Sequence, residues 1–170
     1  MYIASWSGGK DSCFACYKAM QAGHTIGTFV NFISHDSGRV SFHGTDPELI
    51  TMQAKLAGIP LHQQTTTMNT YEQEFIQTVR SLKDQGATGM VFGDIYLDEH
   101  REWVEKVCEE IGITPLEPLW GGDTEQLLRD FIDEGFQAVV VTGKADVIDR
   151  EWIGRRVDEA FRLYQDKVRR

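Results

Sequence analysis

The stretch Ser7-Gly8-Gly9-Lys10-Asp11-Ser12 constrains the fold more than any other part of the chain. It follows a short apolar run, residues 1–6, and precedes a helix-forming run, residues 13–21, so it reads as a strand, a glycine turn and a helix start. Two adjacent glycines allow a tight turn and a close approach to a ligand, while the N–H groups of a helix's first turn carry partial positive charge. The stretch therefore predicts a phosphate site.

The side chains of this stretch suit the same task. Lys10 can add a mobile positive charge, Ser7 and Ser12 can add hydroxyl donors, and Asp11 can hold a magnesium ion or cap the helix. The order of residues differs from a Walker A loop, G-x-x-x-x-G-K-[ST]. The alternative is an ordinary strand-to-helix turn that binds nothing.

The rest of the chain alternates strand and helix patterns. Strands are predicted at 28–34, 59–67, 88–92, 114–116 and 136–142, and helices at 47–57, 71–84, 97–111, 124–134 and 150–164. This alternation predicts an α/β fold with a doubly wound, mostly parallel sheet sandwiched by helices. The loops that begin at Ser7, Ser34, Gly93 and Glu117 all follow strands, so we expect them to meet at one edge of the sheet.

Length and composition restrict the class of protein. A chain of 170 residues predicts a single domain, 1–170, in which the part from about residue 115 contributes substrate-side elements. No apolar stretch approaches the ~20 residues of a membrane span, no secretory signal opens the chain, and three cysteines form no disulfide framework, so we expect a cytoplasmic protein. A net charge of −9 disfavours a nucleic-acid partner or a membrane surface. A homo-oligomer stays an open alternative.

Six motifs in order make a resemblance specific. They are S-G-G-K-D-S at 7–12, Phe42-His43-Gly44, Gly93-Asp94-Ile95, E-H-R-E-W at 99–103, P-L-W-G at 118–121 and W-I-G-R at 152–155. Together, over about residues 2–160, they resemble the diphthine-ammonia ligase-related family of PP-loop ATP pyrophosphatases. The resemblance implies an adenine nucleotide α-hydrolase-like fold that binds ATP and Mg²⁺ and splits ATP to AMP and pyrophosphate. Eukaryotic and archaeal members complete diphthamide on elongation factor 2.

The resemblance also assigns roles to residues. It implies Lys10, Asp11 and Asp94 as catalytic residues, with Asp11 and Asp94 holding the metal. The expected nucleotide contacts are Ser7, Gly8, Gly9, Lys10, Asp11, Ser12, Asn31, Ser34, His43 and Gly93. The expected substrate contacts are His100, Arg101, Trp120 and Arg155, with Glu117 a weaker candidate.

Several of these residues have plainer interpretations. His43 can cap the second helix, and Asp94 can cap the fourth. Trp120 can be core, Glu99 can lie on a solvated helix face, and Trp152 favours packing over binding. Cys13 and Cys16 form a C-x-x-C pair, but no second pair of metal ligands accompanies them, so we interpret both, and Cys108, as packing residues.

The implied reaction is amide ligation. A substrate carboxylate, on a small molecule or a protein side chain, attacks the α-phosphate of ATP, and ammonia or another amine captures the acyl-adenylate. Family members usually continue into a G-E-x-G-E segment near the active site that these 170 residues lack, so the resemblance implies ATP binding more strongly than ligation. The acidic composition and the G-D-I and E-H-R-E-W motifs resemble bacterial members, which do not make diphthamide, so we expect an acceptor other than diphthine. The alternatives are a non-catalytic adenine-nucleotide sensor and, less favoured, a tRNA thiolation enzyme.

Overall fold

The computed structural model describes residues 1–168, with side chains described to residue 165. The chain divides into two compact units, Met1–Trp120 and Gly121–Arg170, which are taken separately below. The boundary lies near residue 115, where the substrate-side part was expected to begin. The assignment of both parts to a single functional domain stays a prediction.

The first unit is a five-stranded parallel sheet with helices between its strands, which confirms the predicted fold class. Its elements are β1 Tyr2–Ser5, α1 Lys10–Gln21, β2 Ile26–Ser34, α2 Pro47–Ala57, β3 Leu61–Thr66, α3 Tyr71–Asp84, β4 Gly89–Val91, α4 Asp98–Ile111 and β5 Thr114–Leu116. Predicted and observed bounds agree for α3 and β5. No helix within residues 1–168 has the length and apolar character that a membrane crossing requires.

The strand order is β3-β2-β1-β4-β5. The chain therefore builds one half of the sheet outward from β1 and then crosses to build the other half from β4. In such sheets ligands bind beyond the carboxyl ends of the strands at the point where the order reverses. Here that point lies between β1 and β4, which places the Ser7 loop beside Gly93 and Asp94.

The main hydrophobic core of the first unit supports the carboxyl edge of the sheet. The face of α3 predicted from its periodicity, Phe75, Val79 and Leu82, is buried, and so are the residues of β4. An uninterrupted apolar β4 is typical of a central parallel strand covered on both faces. The other buried members of this cluster are Ile3, Val30, Phe32, Ile76, Ala87, Met90, Phe92, Val104, Val107, Cys108, Ile111 and Ile113.

Helix α2 begins and ends as its sequence predicts. The carboxylate of Asp46 accepts a hydrogen bond from the N–H of Glu48 at 3.0 Å, and Pro47 occupies the first helical position. Gly58 ends the helix in the left-handed conformation, with φ +68°.

The second unit departs from the sequence prediction in two places. Residues 136–142 form no strand of the sheet; within the described part of this unit they contribute a bridge between Val139 and Arg156. The β-branched run instead hydrogen-bonds locally, since Val140 donates to Arg155 O and accepts from Gly154 N. Val139 and Val141 remain 52% and 70% exposed, so their β-propensity finds no neighbouring strand to pack against.

The predicted helix 150–164 is also wrong at its start. Only Arg150–Trp152 forms a 3₁₀ turn, and Gly154, at φ +86°, breaks the path before α6 begins at Glu159 and runs to Val168. Helix α5, Thr124–Asp133, is capped by Asp123, whose carboxylate accepts a hydrogen bond from Gln126 N at 2.8 Å. The core of this unit consists of Leu128, Val140, Trp152, Val157 and Phe161.

Candidate functional site

A cavity of about 360 Å³ opens at the carboxyl edge of the sheet where the strand order reverses. We call it the loop cavity. Its walls come from the Ser7 loop, the segment after β4, the first turn of α4 and the loop before α2. They consist of Ser5, Ser7, Gly9, Asp11, Ser12, His43, Phe92, Gly93, Asp94, Ile95, Tyr96, Leu97 and His100. Eight of the residues predicted from the sequence therefore lie around one space: Ser7, Gly9, Asp11, Ser12, His43, Gly93, Asp94 and His100.

Gly8 supports the loop from below, outside the walls of the cavity. Its φ is +79°, and a Cβ atom at this position would lie 2.4 Å from Ile50 Cδ1. The side chain of Gln53 holds the turn, because its Nε2 donates to Gly8 O at 3.2 Å and its Oε1 accepts from Trp6 Nε1 at 2.9 Å. Only glycine fits this position, so the α2 helix dictates the path of the loop.

The loop's hydroxyl groups organise its own backbone. Helix α1 begins at Lys10, three residues earlier than predicted, with Gly9 as its cap. The Ser7 hydroxyl donates to the Ser12 hydroxyl, which donates to Gly9 O, both at 3.1 Å, and Gly9 N donates to the Ser7 hydroxyl at 3.3 Å. The first-turn N–H groups of α1 have no acceptor within the helix, so the loop presents them at the cavity as anion donors.

Lys10 and Asp11 form an ion pair at this end of the cavity. The ammonium Nζ lies 2.5 Å from Asp11 Oδ1, and both side chains are partly exposed. Asp11 lines the cavity, whereas Lys10 is not among its walls. Lys10 therefore brings its charge from the rim.

Gly93 allows the end of β4 to approach α1 closely. A Cβ on Gly93 would lie 2.8 Å from Ser12 N and 2.9 Å from the carbonyl carbon of Asp11. The predicted nucleotide contact of Gly93 stays a prediction; the geometry shows that the residue brings the two halves of the sheet edge together. Its neighbour Asp94 then faces the loop cavity.

Asp94 and His100 form a pair on the opposite wall. Asp94 is 18% exposed, and its Oδ1 lies 2.7 Å from His100 Nδ1. This hydrogen bond raises the pKa of His100 above its ordinary value. Leu97 is the cap residue of α4, so the interpretation of Asp94 as the cap of that helix is wrong.

His43 reaches the cavity from the loop before α2. Burial lowers the pKa of His43, and the negative charge of Asp11, which lines the same cavity, opposes that effect. Because Asp46 caps α2, the interpretation of His43 as that cap is wrong. The preceding Phe42 takes a left-handed conformation, φ +64°, which is rare for a bulky side chain.

Two further spaces adjoin the loop cavity along the sheet edge. A cleft of about 50 Å³ shares Ser5, Ser7 and His43 with it, and an outer cavity of about 190 Å³ begins beyond the cleft at Val40, Ser41, Phe42 and Tyr71. Tyr71 lines both of these smaller spaces. Its burial and the charge of Asp94 raise the pKa of Tyr71 to about 12.

Asn31 and Ser34 belong to these smaller spaces and are not among the walls of the loop cavity. Asn31, 2% exposed, lines the cleft; its Nδ2 donates to Trp6 O at 2.8 Å and its Oδ1 accepts from Gln63 at 3.2 Å. Ser34 lines the outer cavity. The described bonds give Asn31 a role in fixing the start of the loop, and the nucleotide contacts of both residues stay predictions.

Arg101, Trp120 and Glu117 form a cluster of their own, outside the walls of the loop cavity. The guanidinium carbon of Arg101 lies 4.7 Å from the centre of the Trp120 ring, and Arg101 Nε donates to Glu105 at 2.9 Å. Glu117 Oε2 is 3.7 Å from Arg101 Nε. Burial raises the pKa of Glu117, and its Oε1 has no hydrogen-bond partner among the described residues.

The remaining substrate candidate, Arg155, belongs to the second unit. Its guanidinium carbon lies 3.9 Å from the centre of the Trp152 ring, and its side chain is exposed. Trp152 is a core residue of that unit, in agreement with the packing interpretation. The proposed substrate contact of Arg155 stays a prediction.

Three residues gain importance from the structure. Two of them, Gln53 and Tyr71, were not proposed from the sequence, and the third, Glu117, was a weaker candidate there. Gln53 supports Gly8 from 45 residues away, and no local pattern marks such a contact. Tyr71 begins α3 after a four-residue loop, 67–70, that follows β3 at the carboxyl edge of the sheet, and no motif in the sequence marks it. Glu117, a weak candidate, is 9% exposed at the end of β5.

The cysteines agree with the packing interpretation. Cys16 and Cys108 are buried, and Cys13 is half-buried. Burial raises the pKa of all three thiols. Within the described residues, no three His, Cys, Asp or Glu side chains are grouped to hold a metal ion.

The fold and the loop define the class of this protein as an α/β protein with a five-stranded parallel sheet, flanking helices and a glycine turn after its first strand. Residues 1–115 match the family model described as the diphthamide synthase N-terminal domain, and residues 123–168 match the diphthamide synthase C-terminal domain. The chain belongs to the diphthamide synthase family, which confirms the resemblance found in the sequence.

Curated relatives carry the name diphthine–ammonia ligase. The chain is 26% identical to the protein from Danio rerio over 155 residues, covering 79% of this chain and 61% of the relative. It is also 26% identical to the Homo sapiens protein over 175 residues, covering 90% of this chain and 66% of the relative. The chain therefore spans slightly less than two thirds of the length of these relatives.

A solved structure shares the fold. It is a predicted subunit of tRNA methyltransferase from Methanocaldococcus jannaschii, with a TM-score of 0.54 and 15% sequence identity. The similarity covers 96% of this chain and 85% of that one. At this identity the likeness concerns the fold alone.

Proposed function

We propose that the protein is an ATP-dependent ligase that adenylates a substrate carboxylate, releases pyrophosphate and forms an amide. The observation that carries the proposal is the loop cavity, in which the Ser7 loop faces Asp94 and His100 across one space. The family membership and the relatives named diphthine–ammonia ligase support the same reaction class. Those relatives act on diphthine and ammonia by name, and we propose a carboxylate-bearing substrate and ammonia or an amine for this protein.

The chain's own residues would act mainly by electrostatics. The first-turn N–H groups of α1 and the Lys10 ammonium stabilise the negative charge that develops on the pyrophosphate as it leaves the α-phosphate. The substrate carboxylate is the nucleophile in that step, so the protein supplies no covalent intermediate. His43 lines the loop cavity together with Asp11, and its imidazole would hydrogen-bond a phosphate oxygen.

The residues present fit a magnesium ion. Asp11 and Asp94 both line the loop cavity, and Mg²⁺ is usually held by one or two carboxylates together with substrate phosphates and water. An all-protein cluster of ligands is not needed for such an ion. When bound, the ion offsets negative charge on the departing pyrophosphate.

Incubation with ATP labelled at the α-phosphate tests the chemistry. With diphthine-bearing protein or other carboxylates as acceptors, we expect labelled AMP and an equal amount of pyrophosphate. Release of ADP would refute the reaction. Tight nucleotide binding with no pyrophosphate release under any acceptor would favour a nucleotide sensor.

The Lys10→Ala variant tests the site. Losing a charge-assisted contact to phosphate should weaken ATP binding about tenfold or more. Lys18→Ala is a matched control, because Lys18 lies in the last turn of the same helix with its Nζ over the Phe14 ring. Unchanged ATP affinity in Lys10→Ala, measured by calorimetry, would refute the assignment.

A further inference from the structure

The proposed ligation needs two ligands of opposite charge, anionic ATP and an amine donor that is cationic when protonated. The carboxyl edge of the sheet likewise has one end that suits an anion and another that suits a cation. At the β1 end, the loop offers N–H groups and the Lys10 ammonium. At the ends of β4 and β5, two carboxylates stand on neighbouring strands: Leu116 pairs with Val91 in the sheet, and Glu117 and Asp94 follow them. The first end suits an anion, and the second suits a cation.

Glu117 is the unusual member of this second end. Its side chain is 9% exposed, its Oε1 has no hydrogen-bond partner within the described part of the chain, and its Oε2 lies 3.7 Å from Arg101 Nε. That distance is too long for a hydrogen bond, and Arg101 Nε donates to Glu105 instead. A buried carboxylate with an unfilled acceptor is costly unless a donor occupies it in some state of the protein.

The surroundings of Glu117 indicate what that donor is. Because Leu116 pairs with Val91, Glu117 and Asp94 leave neighbouring strands at the same edge, and Asp94 Oδ1 lies 2.7 Å from His100 Nδ1. Burial and the charge of Asp94 raise the pKa of Glu117, and the charges of Arg101 and His100 oppose them. Two carboxylates that repel each other favour a cation between them. Asp94 and His100 also line the loop cavity, so a cation bound here is close to the loop's end of the site.

An ammonium ion fits this group. It needs acceptors at ordinary hydrogen-bond distances, and it brings four N–H donors of its own. Glu117 Oε1 is a vacant acceptor of that kind.

We propose that Glu117, with the charge of Asp94 beside it, forms the site at which the amine donor binds as ammonium or a primary alkylammonium. This inference rests on the proposed ligase function for its meaning and on Glu117 for its location. It assigns to the end of β5 a role complementary to that of the Ser7 loop.

The corresponding step balances without any further reactant. The bound ammonium transfers one proton to the Glu117 carboxylate and becomes ammonia, whose lone pair attacks the acyl carbon of the adenylate. The C–N bond forms, the bond from the acyl carbon to the AMP oxygen breaks, and AMP leaves with that electron pair. The nitrogen then loses a second proton to water, and Glu117 returns its proton to water.

Ammonium binding to the whole chain tests the inference without a known acceptor. Ammonium chloride is titrated against potassium chloride at equal ionic strength, since potassium carries the charge without N–H donors. Binding is read from the line width of ¹⁵N-labelled ammonium and from the melting temperature. We expect ammonium to bind at least about tenfold more tightly than potassium, as one charge-assisted hydrogen bond provides.

The variants locate the site. Glu117→Gln should abolish this preference for ammonium, whereas Glu105→Gln, which removes the exposed carboxylate on the other side of Arg101, should keep it. Glu117→Asp keeps the charge in a shorter side chain and should retain a weakened preference, which guards against misfolding of the glutamine variant. Equal binding of ammonium and potassium to the unmodified protein, or an ammonium preference that survives Glu117→Gln in a folded protein, would overturn the inference.

Failure of the ligase proposal gives a different result. If labelled ATP yields no AMP while ammonium still binds through Glu117, the reaction is wrong and the cation site stands. If AMP forms and Glu117→Gln responds to ammonium as the unmodified protein does, the reaction stands and the cation site is wrong.

Discussion

The two ends of the loop cavity use the same architecture for opposite purposes. At both, a parallel strand ends at the carboxyl edge and a helix follows, α1 after β1 and α4 after β4. At the β1 end, a two-glycine turn leads directly into α1, so backbone N–H groups dominate. At the β4 end, six residues, 92–97, separate the strand from α4, and the side chains of Asp94 and His100 dominate.

The two connections are similar in length, four residues at the β1 end and six at the β4 end, so their composition decides whether backbone or side chains form the site. At the β1 end, Gly8 takes a positive φ that glycine adopts without strain, and the turn brings helix N–H groups to the ligand. At the β4 end, the connection carries the carboxylate of Asp94, which the following helix positions through His100 at 2.7 Å. The sheet edge therefore has a donor end and an acceptor end.

The largest expected effect comes from Gly8→Ala at the donor end. The new methyl group would lie 2.4 Å from Ile50 Cδ1 at a residue with φ +79°, so the loop must move and its N–H groups lose their aim. Loss of two charge-assisted hydrogen bonds predicts ATP binding weakened about 100-fold or more. Calorimetric titration with ATP measures this, and ammonium binding at the acceptor end should be unchanged.

Gly23→Ala is the control for that variant. Gly23 follows α1, has φ +90° and has no neighbouring atom within 4 Å of the added methyl group. Gly23→Ala should therefore lower the free energy of unfolding by about 1 kcal/mol, because alanine is strained in the left-handed conformation. ATP binding should stay intact. If both variants lowered ATP affinity equally, the close packing beneath Gly8 would not be what shapes the loop.

The sequence predicted the donor end better than the acceptor end. The Ser7 loop is a contiguous pattern whose chemistry follows from backbone geometry, so its position and neighbours could be inferred locally. No local sequence pattern marks Glu117. The surroundings of its carboxylate depend on Arg101 and Asp94, which belong to other elements. The same limit explains Gln53, whose partner Gly8 lies 45 residues away.

The outcome for the strands has a related cause. Strands at 114–116 and 28–34 were correctly expected because each lies between helices that return the chain to the sheet. The run at 136–142 is rich in β-branched residues, but it pairs locally with 154–157 in the second unit and joins no sheet. Composition indicates a strand's local preference, while the available partner decides the result.

A smaller effect is expected from Glu117→Gln on stability. Burial raises the pKa of Glu117 in the folded protein, so as the pH rises the unfolded chain loses this proton first. The free energy of unfolding of the unmodified protein therefore falls as the pH rises from the ordinary glutamate pKa to the raised one, because Glu117 must ionise inside the folded protein. The glutamine variant lacks this cost, so its stability relative to the unmodified protein should improve from pH 4 to pH 7.

Urea denaturation at several pH values measures this difference. Its total size reports the pKa difference, at about 1.4 kcal/mol per pH unit. Glu105→Gln, whose side chain is 54% exposed, controls for the loss of a negative charge next to Arg101. A glutamine variant that loses relative stability as the pH rises would show that the Glu117 carboxylate is satisfied in the folded protein, against the vacant acceptor at this end.

The smallest expected effect concerns the thiols beneath the two ends. Cys16 on α1 and Cys108 on α4 are both buried, and burial, with a smaller contribution from Cys13 or Glu117, raises the pKa of each to about 12. At pH 8 only about one part in ten thousand of such a thiol is ionised, so Ellman's reagent should leave both unmodified in the native protein and titrate all three cysteines in denaturant. Cys13, half-buried, should react slowly, and Cys13→Ser identifies that signal. Rapid modification of Cys16 would mean that the donor end carries an accessible thiol that the acceptor end lacks, and a thiolation enzyme would then become the better interpretation of the C-x-x-C pair.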